Sequence, residues 1–230
     1  MDPVIVSYEN SWLRRSDVSL LEGPHWLNDQ IIGFAFDYFA SDCFKTLSQM
    51  AAFISPEVTQ FIKFCDDMWD LCLFLEPLDL ASRQWIFLAV NDNCNQEAGG
   101  SHWSLLAFVR ASGKFIHYDS FYSRNSAHAK HIAKQLEPFL GMEKKLRFQE
   151  KRCPQQCNSY DCGMYVLSIA EILCEKAKGE TRSTRLVRRI TPAFISQKRE
   201  EWCKRIQTLV QRAAHLDTLS VAPSPRDLQT

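Results

Sequence analysis

Pro154-Gln155-Gln156-Cys157-Asn158-Ser159-Tyr160-Asp161-Cys162-Gly163 runs straight into Met164-Tyr165-Val166-Leu167-Ser168-Ile169-Ala170. A polar, turn-forming stretch ends in a cysteine at the threshold of an apolar one. That order predicts a loop followed by a buried helix, with Cys162 in its first turn. A helix N-terminus carries unpaired N–H groups and partial positive charge. Both favour the thiolate, which is the nucleophilic form of cysteine. Taken alone, Cys162 also fits a small core hydrophobe.

Upstream, the apolar runs Trp103–Val109 and Phe115–Asp119 flank the turn residues Ala111-Ser112-Gly113-Lys114, which predicts a hairpin. His102 then stands at the start of one strand and Asp119 at the end of the other, and antiparallel pairing brings those ends together. A nucleophile, a base and an orienting carboxylate are the three parts of a nucleophilic hydrolase. His117 is the rival base, but it falls inside a strand rather than at its end. Gln84–Val90 is apolar nearly throughout, as expected of a strand buried on both faces.

The remaining elements follow from caps and periodicity. Residues 1–25 read as irregular, apart from a short strand at Val4–Tyr8 and a turn at Leu20–Pro24. Asn28 or a neighbour caps a helix over 30–39 with Ile31, Phe34, Ala35 and Tyr38 inward. Ser55-Pro56-Glu57 opens another, with Val58, Phe61, Ile62 and Cys65 inward. A further helix over 67–75 ends before Pro77. Asn125 is expected to cap a helix over 126–140, and Asp161 to cap the Cys162 helix. Leu146–Glu150 alternates like a strand, and Thr191-Pro192 opens a last helix. The expectation is one α+β domain over 1–212, a central, mostly antiparallel sheet flanked by helices. A polar, Pro-containing tail over 213–230 is expected to be mobile.

Lys+Arg and Asp+Glu both number 27, so the net charge is zero and binding to nucleic acid through bulk charge is excluded. The nine cysteines, the plain amino terminus and the lack of a long apolar run point to a reducing compartment, cytoplasm or nucleus, with no membrane contact. Cys153, Cys157 and Cys162 have no companion His or Cys pair to complete a metal site, so no metal or other cofactor is expected. Cys157 lies near Cys162, which leaves open a reversible disulfide under oxidation. Arg182, Arg185, Arg188 and Arg189 form a basic cluster that fits a solvated helix face or contact with an acidic partner.

The ten-residue Cys162 motif, with His102-Trp103 and Tyr118-Asp119-Ser120 before it in that order, resembles the Ulp/sentrin-specific cysteine proteases. Trp26-Leu27-Asn28-Asp29-Gln30-Ile31-Ile32 and Phe53-Ile54-Ser55-Pro56-Glu57 resemble the deneddylating branch of that family. The resemblance covers residues 1–212. It implies an Ulp-type, papain-like fold of the adenain clan and cleavage after the C-terminal Gly-Gly of a ubiquitin-like modifier. The Nedd modifier is implied first, both its precursor and its conjugates with cullins and other proteins, acted on by a monomer. It implies Cys162 as nucleophile, His102 as base, Asp119 as the acid that orients it and Gln156 as an oxyanion donor. It also implies Trp26 and Trp103 as walls of a slot over the Gly-Gly tail, and Asp29 as partner of an arginine just before it. The loop Asn91–Ser101 is expected to move as the modifier docks. The alternatives are a SUMO protease, an acyltransferase of the same clan, and a non-catalytic binder that keeps the fold.

Overall fold

The computed structural model describes residues 2–95, 99–180 and 186–220, with 214–220 as backbone alone. The chain starts with β1 (Val4–Tyr8) and β2 (Ser11–Arg14), paired as an antiparallel ribbon, and the short α1 (Arg15–Ser19). Residues 1–25 are therefore not irregular. The second strand is four residues long and only Leu13 in it is buried, too short an alternation to register as a pattern.

α2 (Asp29–Tyr38) begins where Asn28 Oδ1 accepts the Ile31 N–H at 3.1 Å. After β3 (Ala51–Ile54), α3 (Pro56–Phe64) begins with Ser55 Oγ accepting from Val58 N–H at 3.3 Å and proline in the first turn. Its inner face is Thr59, Ile62 and Lys63, while Val58, Phe61 and Cys65 are half-buried. Asp67 caps α4 (Met68–Leu75).

β4 (Trp85–Asn91), β5 (Trp103–Val109) and β6 (Lys114–Tyr118) are consecutive antiparallel neighbours. α5 (Ser126–Leu136) stops four residues short of its expected end, where Glu137-Pro138 tightens the chain into the 3₁₀ turn Glu137–Leu140. β7 (Arg147–Glu150) completes a five-stranded sheet of order β3-β4-β5-β6-β7. Both edge strands pair parallel with their neighbours, β3 with β4 and β7 with β6. The sheet is thus mixed: α3 and α4 intervene before β4, and α5 before β7, and a helical crossover returns a strand in the same direction.

α6 (Cys162–Ala177) is buried from Cys162 through Cys174. α7 (Leu186–Arg189) and α8 (Pro192–Ser220) follow. The helix thus continues past Ala213 to Ser220, and the rest of the expected tail, 221–230, lies outside the described residues. Phe87, Ala89, Leu105 and Ala107 face α2, α6 and α8. Ile86, Leu88, Leu106 and Phe108 face α3 and α5 on the other side. The apolar run of β4 is explained by burial on both faces, worth about 1.5–3 kcal/mol for each large side chain. Among the described residues no helix is long and apolar enough to cross a membrane.

Candidate active site

Strand register places His102 and Asp119. Leu105 lies opposite Tyr118, so the residues just outside this pairing, His102 and Asp119, meet at one end of the hairpin. His102 Nε2 is 2.6 Å from Asp119 Oδ1, and both side chains are buried. Asp119 Oδ1 also accepts the Phe121 N–H at 2.8 Å, and Oδ2 accepts the Asn125 N–H at 2.9 Å. Three donors hold the carboxylate and fix its plane. The Cys162 side chain lies on the far side of the imidazole from Asp119, close enough to raise its pKa. With Nε2 on Asp119, Nδ1 is the nitrogen left for the sulfur. Burial pulls the imidazole down, but the hydrogen bond to Asp119 and the nearby Cys162 sulfur outweigh it and push it up to about 9. The imidazolium therefore dominates at neutral pH.

Cys162 arrives as the first residue of α6, which packs against β5, and the turn before it explains the motif. Asn158 Oδ1 accepts the backbone N–H groups of Tyr160 at 3.1 Å and Asp161 at 3.0 Å, an Asx turn that aims the chain into the helix. Asp161 does not cap α6, contrary to expectation. Its carboxylate accepts from Arg199 Nε at 2.8 Å and from Asn158 Nδ2 at 2.7 Å. The α6 N–H groups are left without a side-chain cap. Gln156 is fixed by its own amide: Oε1 accepts from Ser120 Oγ at 2.7 Å and Nε2 donates to Asn158 O at 2.7 Å. The amide carries a second N–H.

A groove of about 1010 Å³ leads to the cysteine, lined among others by Trp26, Asp29, His102, Trp103 and Cys162. Trp26 is 47 % exposed, so its ring stands open to this space. Its Nε1 donates to Ser159 O at 2.5 Å, and Trp103 Nε1 donates to Leu27 O at 2.9 Å. Asp29, in the first turn of α2, is exposed on the groove wall. Gly163 makes the assembly tight, since a Cβ there would sit 2.9 Å from Leu27 Cβ. The backbone next to Cys162 thereby packs against the segment that carries Trp26.

His117 is not at the site. Its Nδ1 is 2.9 Å from Glu150 Oε2 and its Nε2 2.9 Å from Ser104 Oγ, in a fully buried position. All nine cysteines are free thiols. Cys153 donates to Asp119 O at 2.9 Å, and burial pushes its thiol up to about 12, which makes it inert. Among the described residues no cluster of three or more His, Cys, Asp and Glu side chains is placed to hold a metal. Arg182 and Arg185 of the basic cluster lie outside the described residues, and Arg189 pairs with Glu175 at 2.7 Å.

Two supporting residues escaped the sequence reading. Asn125 occupies the expected position before α5 but makes no side-chain cap. It is fully buried, and its Nδ2 donates to Val90 O at 3.0 Å and His102 O at 3.2 Å, tying the His102 backbone to β4. Nothing local in the sequence signals this. Asp92 accepts the Ser101 N–H at 2.6 Å and the His102 N–H at 3.0 Å. Burial opposes its charge, yet these bonds and those to Ser101 Oγ and Arg124 hold its carboxyl below the usual range. An aspartate in the Asn-rich loop beside His102 was the available clue. Both stems of the loop 91–101 are thus pinned, while 96–98 lie outside the described residues.

Residues 25–213 match the Ulp1 protease family, C-terminal catalytic domain. Sentrin-specific protease 8 of Homo sapiens is 53 % identical over 214 residues, spanning 92 % of this chain and 100 % of that protein. NEDD8-specific protease 1 of Arabidopsis thaliana is 34 % identical over 220 residues, spanning 92 % and 96 %. Among solved structures, the C-terminal Ulp1 protease domain in complex with Smt3, the yeast orthologue of SUMO, superposes with a TM-score of 0.70. That likeness, at 19 % identity over 90 % of this chain and 88 % of that one, establishes the α+β fold.

Proposed function

The chain belongs to the Ulp1 protease family and is a cysteine protease, and from that premise we propose that it cleaves after the C-terminal Gly-Gly of NEDD8. Its substrates are the NEDD8 precursor and NEDD8 conjugates, cullins among them, in the cytoplasm or nucleus. One domain over 1–212 carries the activity. The observation that carries this reading is the imidazole of His102, held by Asp119 at 2.6 Å and lining one groove together with Cys162, whose sulfur helps raise its pKa.

The chemistry follows from that arrangement. His102 takes the proton that Cys162 gives up as the sulfur becomes the nucleophile. The sulfur attacks the carbonyl carbon of the terminal glycine, and the carbonyl π electrons move to oxygen. The Cys162 backbone N–H, free in the first turn of α6, and the second N–H of Gln156 receive that oxyanion. Each such donor is worth about 3–4 kcal/mol of barrier. The C–N bond then breaks, and the leaving lysine or backbone nitrogen takes the proton from His102. Water attacks the thioester, His102 accepts its proton, and the C–S bond breaks to release the modifier's carboxylate. Asp119 keeps one imidazole orientation through both steps. Trp26 and Trp103 flank the path to the sulfur, a slot that a dipeptide without side chains threads and a bulkier one does not. Asp29 meets an arginine just before the Gly-Gly. The loop 91–101 shifts between its pinned stems as the modifier docks.

The preference for NEDD8 is supported by the Arabidopsis relative, whose name carries that specificity, and by the much higher identity of the curated relatives than of the SUMO-bound structure. The test is covalent capture with NEDD8, SUMO and ubiquitin, each bearing a cysteine-reactive C-terminus. Peptide mapping should place a NEDD8 adduct on Cys162. A SUMO adduct instead would keep the chemistry and reverse the substrate; no adduct from a folded sample would sink the reading.

A further inference from the structure

Arg199, on α8, takes no part in the chemistry above, yet it joins the two segments that frame it. Its Nε donates to Asp161 Oδ1 at 2.8 Å, and its Nη2 to Tyr160 O at 3.4 Å and His25 O at 2.9 Å. Its Nη1 donates to Leu20 O at 2.9 Å. Asp161 and Tyr160 immediately precede Cys162, and His25 immediately precedes Trp26. One planar fork, 8 % exposed, therefore spans from the turn before the nucleophile to the turn before the groove wall. The Trp26–Ser159 bond runs beside it and ties the same two segments. We infer that Arg199 is a positioning residue that sets the gap between Trp26 and Cys162, and so governs how the substrate tail is held.

The inference rests on the proposed roles of Cys162 and Trp26. The recruitment of three separate nitrogens to acceptors in three stretches of chain is the reason for singling out arginine. Lysine offers a point charge on a flexible stem and keeps the pairing with Asp161 without the span. If Arg199 merely neutralised Asp161, lysine would serve. If it merely braced the fold, its loss would disable every reaction of Cys162 alike.

The experiment compares the full chain, Arg199→Lys and Asp161→Asn with two reagents. Iodoacetamide reaches the thiol without filling the groove; NEDD8 with a fluorogenic amide on its terminal glycine must fill it. For Arg199→Lys, KM for the NEDD8 substrate should rise about tenfold, the scale of one hydrogen bond to a charged group, with kcat changing less. Its iodoacetamide rate at Cys162, normalised to the folded fraction, should stay within about twofold, while its unfolding midpoint falls with the lost Leu20 and His25 bonds. Asp161→Asn keeps the Leu20 and His25 bonds and should raise KM less. An unchanged KM in Arg199→Lys, a parallel loss of both reactions, failure of that variant to fold, or an equal KM rise in Asp161→Asn would each overturn the inference. A wild-type protein that cleaves no modifier tail would instead remove the premise before any variant is read.

Discussion

Replacing Asp119 with asparagine changes one oxygen to an amide and tests the centre of the site. In the native arrangement one oxygen receives His102 Nε2 and the Phe121 N–H, and the other receives the Asn125 N–H. An amide has one acceptor and one donor end, so either orientation sets a donor against a donor. With oxygen toward His102, the NH₂ faces the Asn125 N–H. With NH₂ toward His102, it faces the Phe121 N–H and selects the tautomer whose proton sits on Nδ1, toward Cys162. That tautomer cannot accept the thiol proton. Either way one buried hydrogen bond is lost, about 1–3 kcal/mol of stability. The imidazolium also loses its counter-charge. The lift from 6.5 to about 9 corresponds to about 3 kcal/mol. Cys162 shares that lift and solvent in the open groove screens it, leaving about 2 kcal/mol to Asp119. A 30-fold loss on the order of that energy, combined with misdirected tautomers, gives a fall in kcat/KM of about 10²- to 10⁴-fold. The assay is hydrolysis of the fluorogenic NEDD8 substrate, normalised to the folded fraction by circular dichroism. A folded Asp119→Asn variant within tenfold of wild type would refute the reasoning.

Wild-type kcat/KM should decline as pH rises through about 9, where His102 loses the proton that the proposed mechanism has it give to the leaving nitrogen; a profile still flat beyond that range contradicts the proposal. The same group binds its proton more tightly folded, at about 9, than at its ordinary 6.5, so its stabilising contribution is complete below about pH 6.5 and is lost as pH rises through about 9. Denaturant midpoints across that window should show it, and Cys162→Ala should lower the His102 titration midpoint in an NMR series, since the sulfur helps raise it. Gly163→Ala must push Leu27 aside from a 2.9 Å contact, costing about 1–3 kcal/mol; tail cleavage should fall more than tenfold, and equal activity would show that the Trp26 segment tolerates the shift. Asn125→Ala removes the side-chain donor that bridges the Val90 and His102 carbonyls, the latter still bonded to the Asp92 N–H, so chemical denaturation should reveal a loss of about 1–3 kcal/mol, with a change under about 0.5 kcal/mol ruling out the brace.

The hairpin was legible because two apolar runs flank a turn whose Gly113 adopts φ +59°, a conformation favouring glycine, and the ends of a hairpin meet wherever it occurs. Helix starts at Asn28 and Ser55 were legible for the same reason: a cap acts within three residues. Asp161 was misread because its neighbourhood also spells a cap. Its true partner, Arg199, lies 38 positions away, and no local pattern reports a buried ion pair of that range. The parallel edges were hidden likewise, since β3 and β7 are four-residue strands whose direction is set by the helices that return them. Asn125 appeared as an ordinary capping asparagine, whereas burial turned its amide toward the strand carbonyls. Within the candidate site, the residues that would react were visible as a pattern, and those that hold them were not.

The His102–Asp119 pair and Cys162 belong to different layers of the molecule, and this gives the site one stiff joint and one adjustable joint. His102 and Asp119 flank the ends of adjacent strands, whose separation is dictated by backbone hydrogen bonding and changes little with side-chain volume. The sulfur rides on α6, whose distance from the sheet is set by the thickness of the apolar layer formed by residues such as Leu105, Ala107, Met164 and Leu167. A methyl added or removed there moves the sulfur relative to the imidazole and leaves the histidine and its carboxylate in register. Core variation under α6 is therefore a route to tuning reactivity without touching a reacting group, read as a change in Cys162 alkylation rate at constant His102 titration.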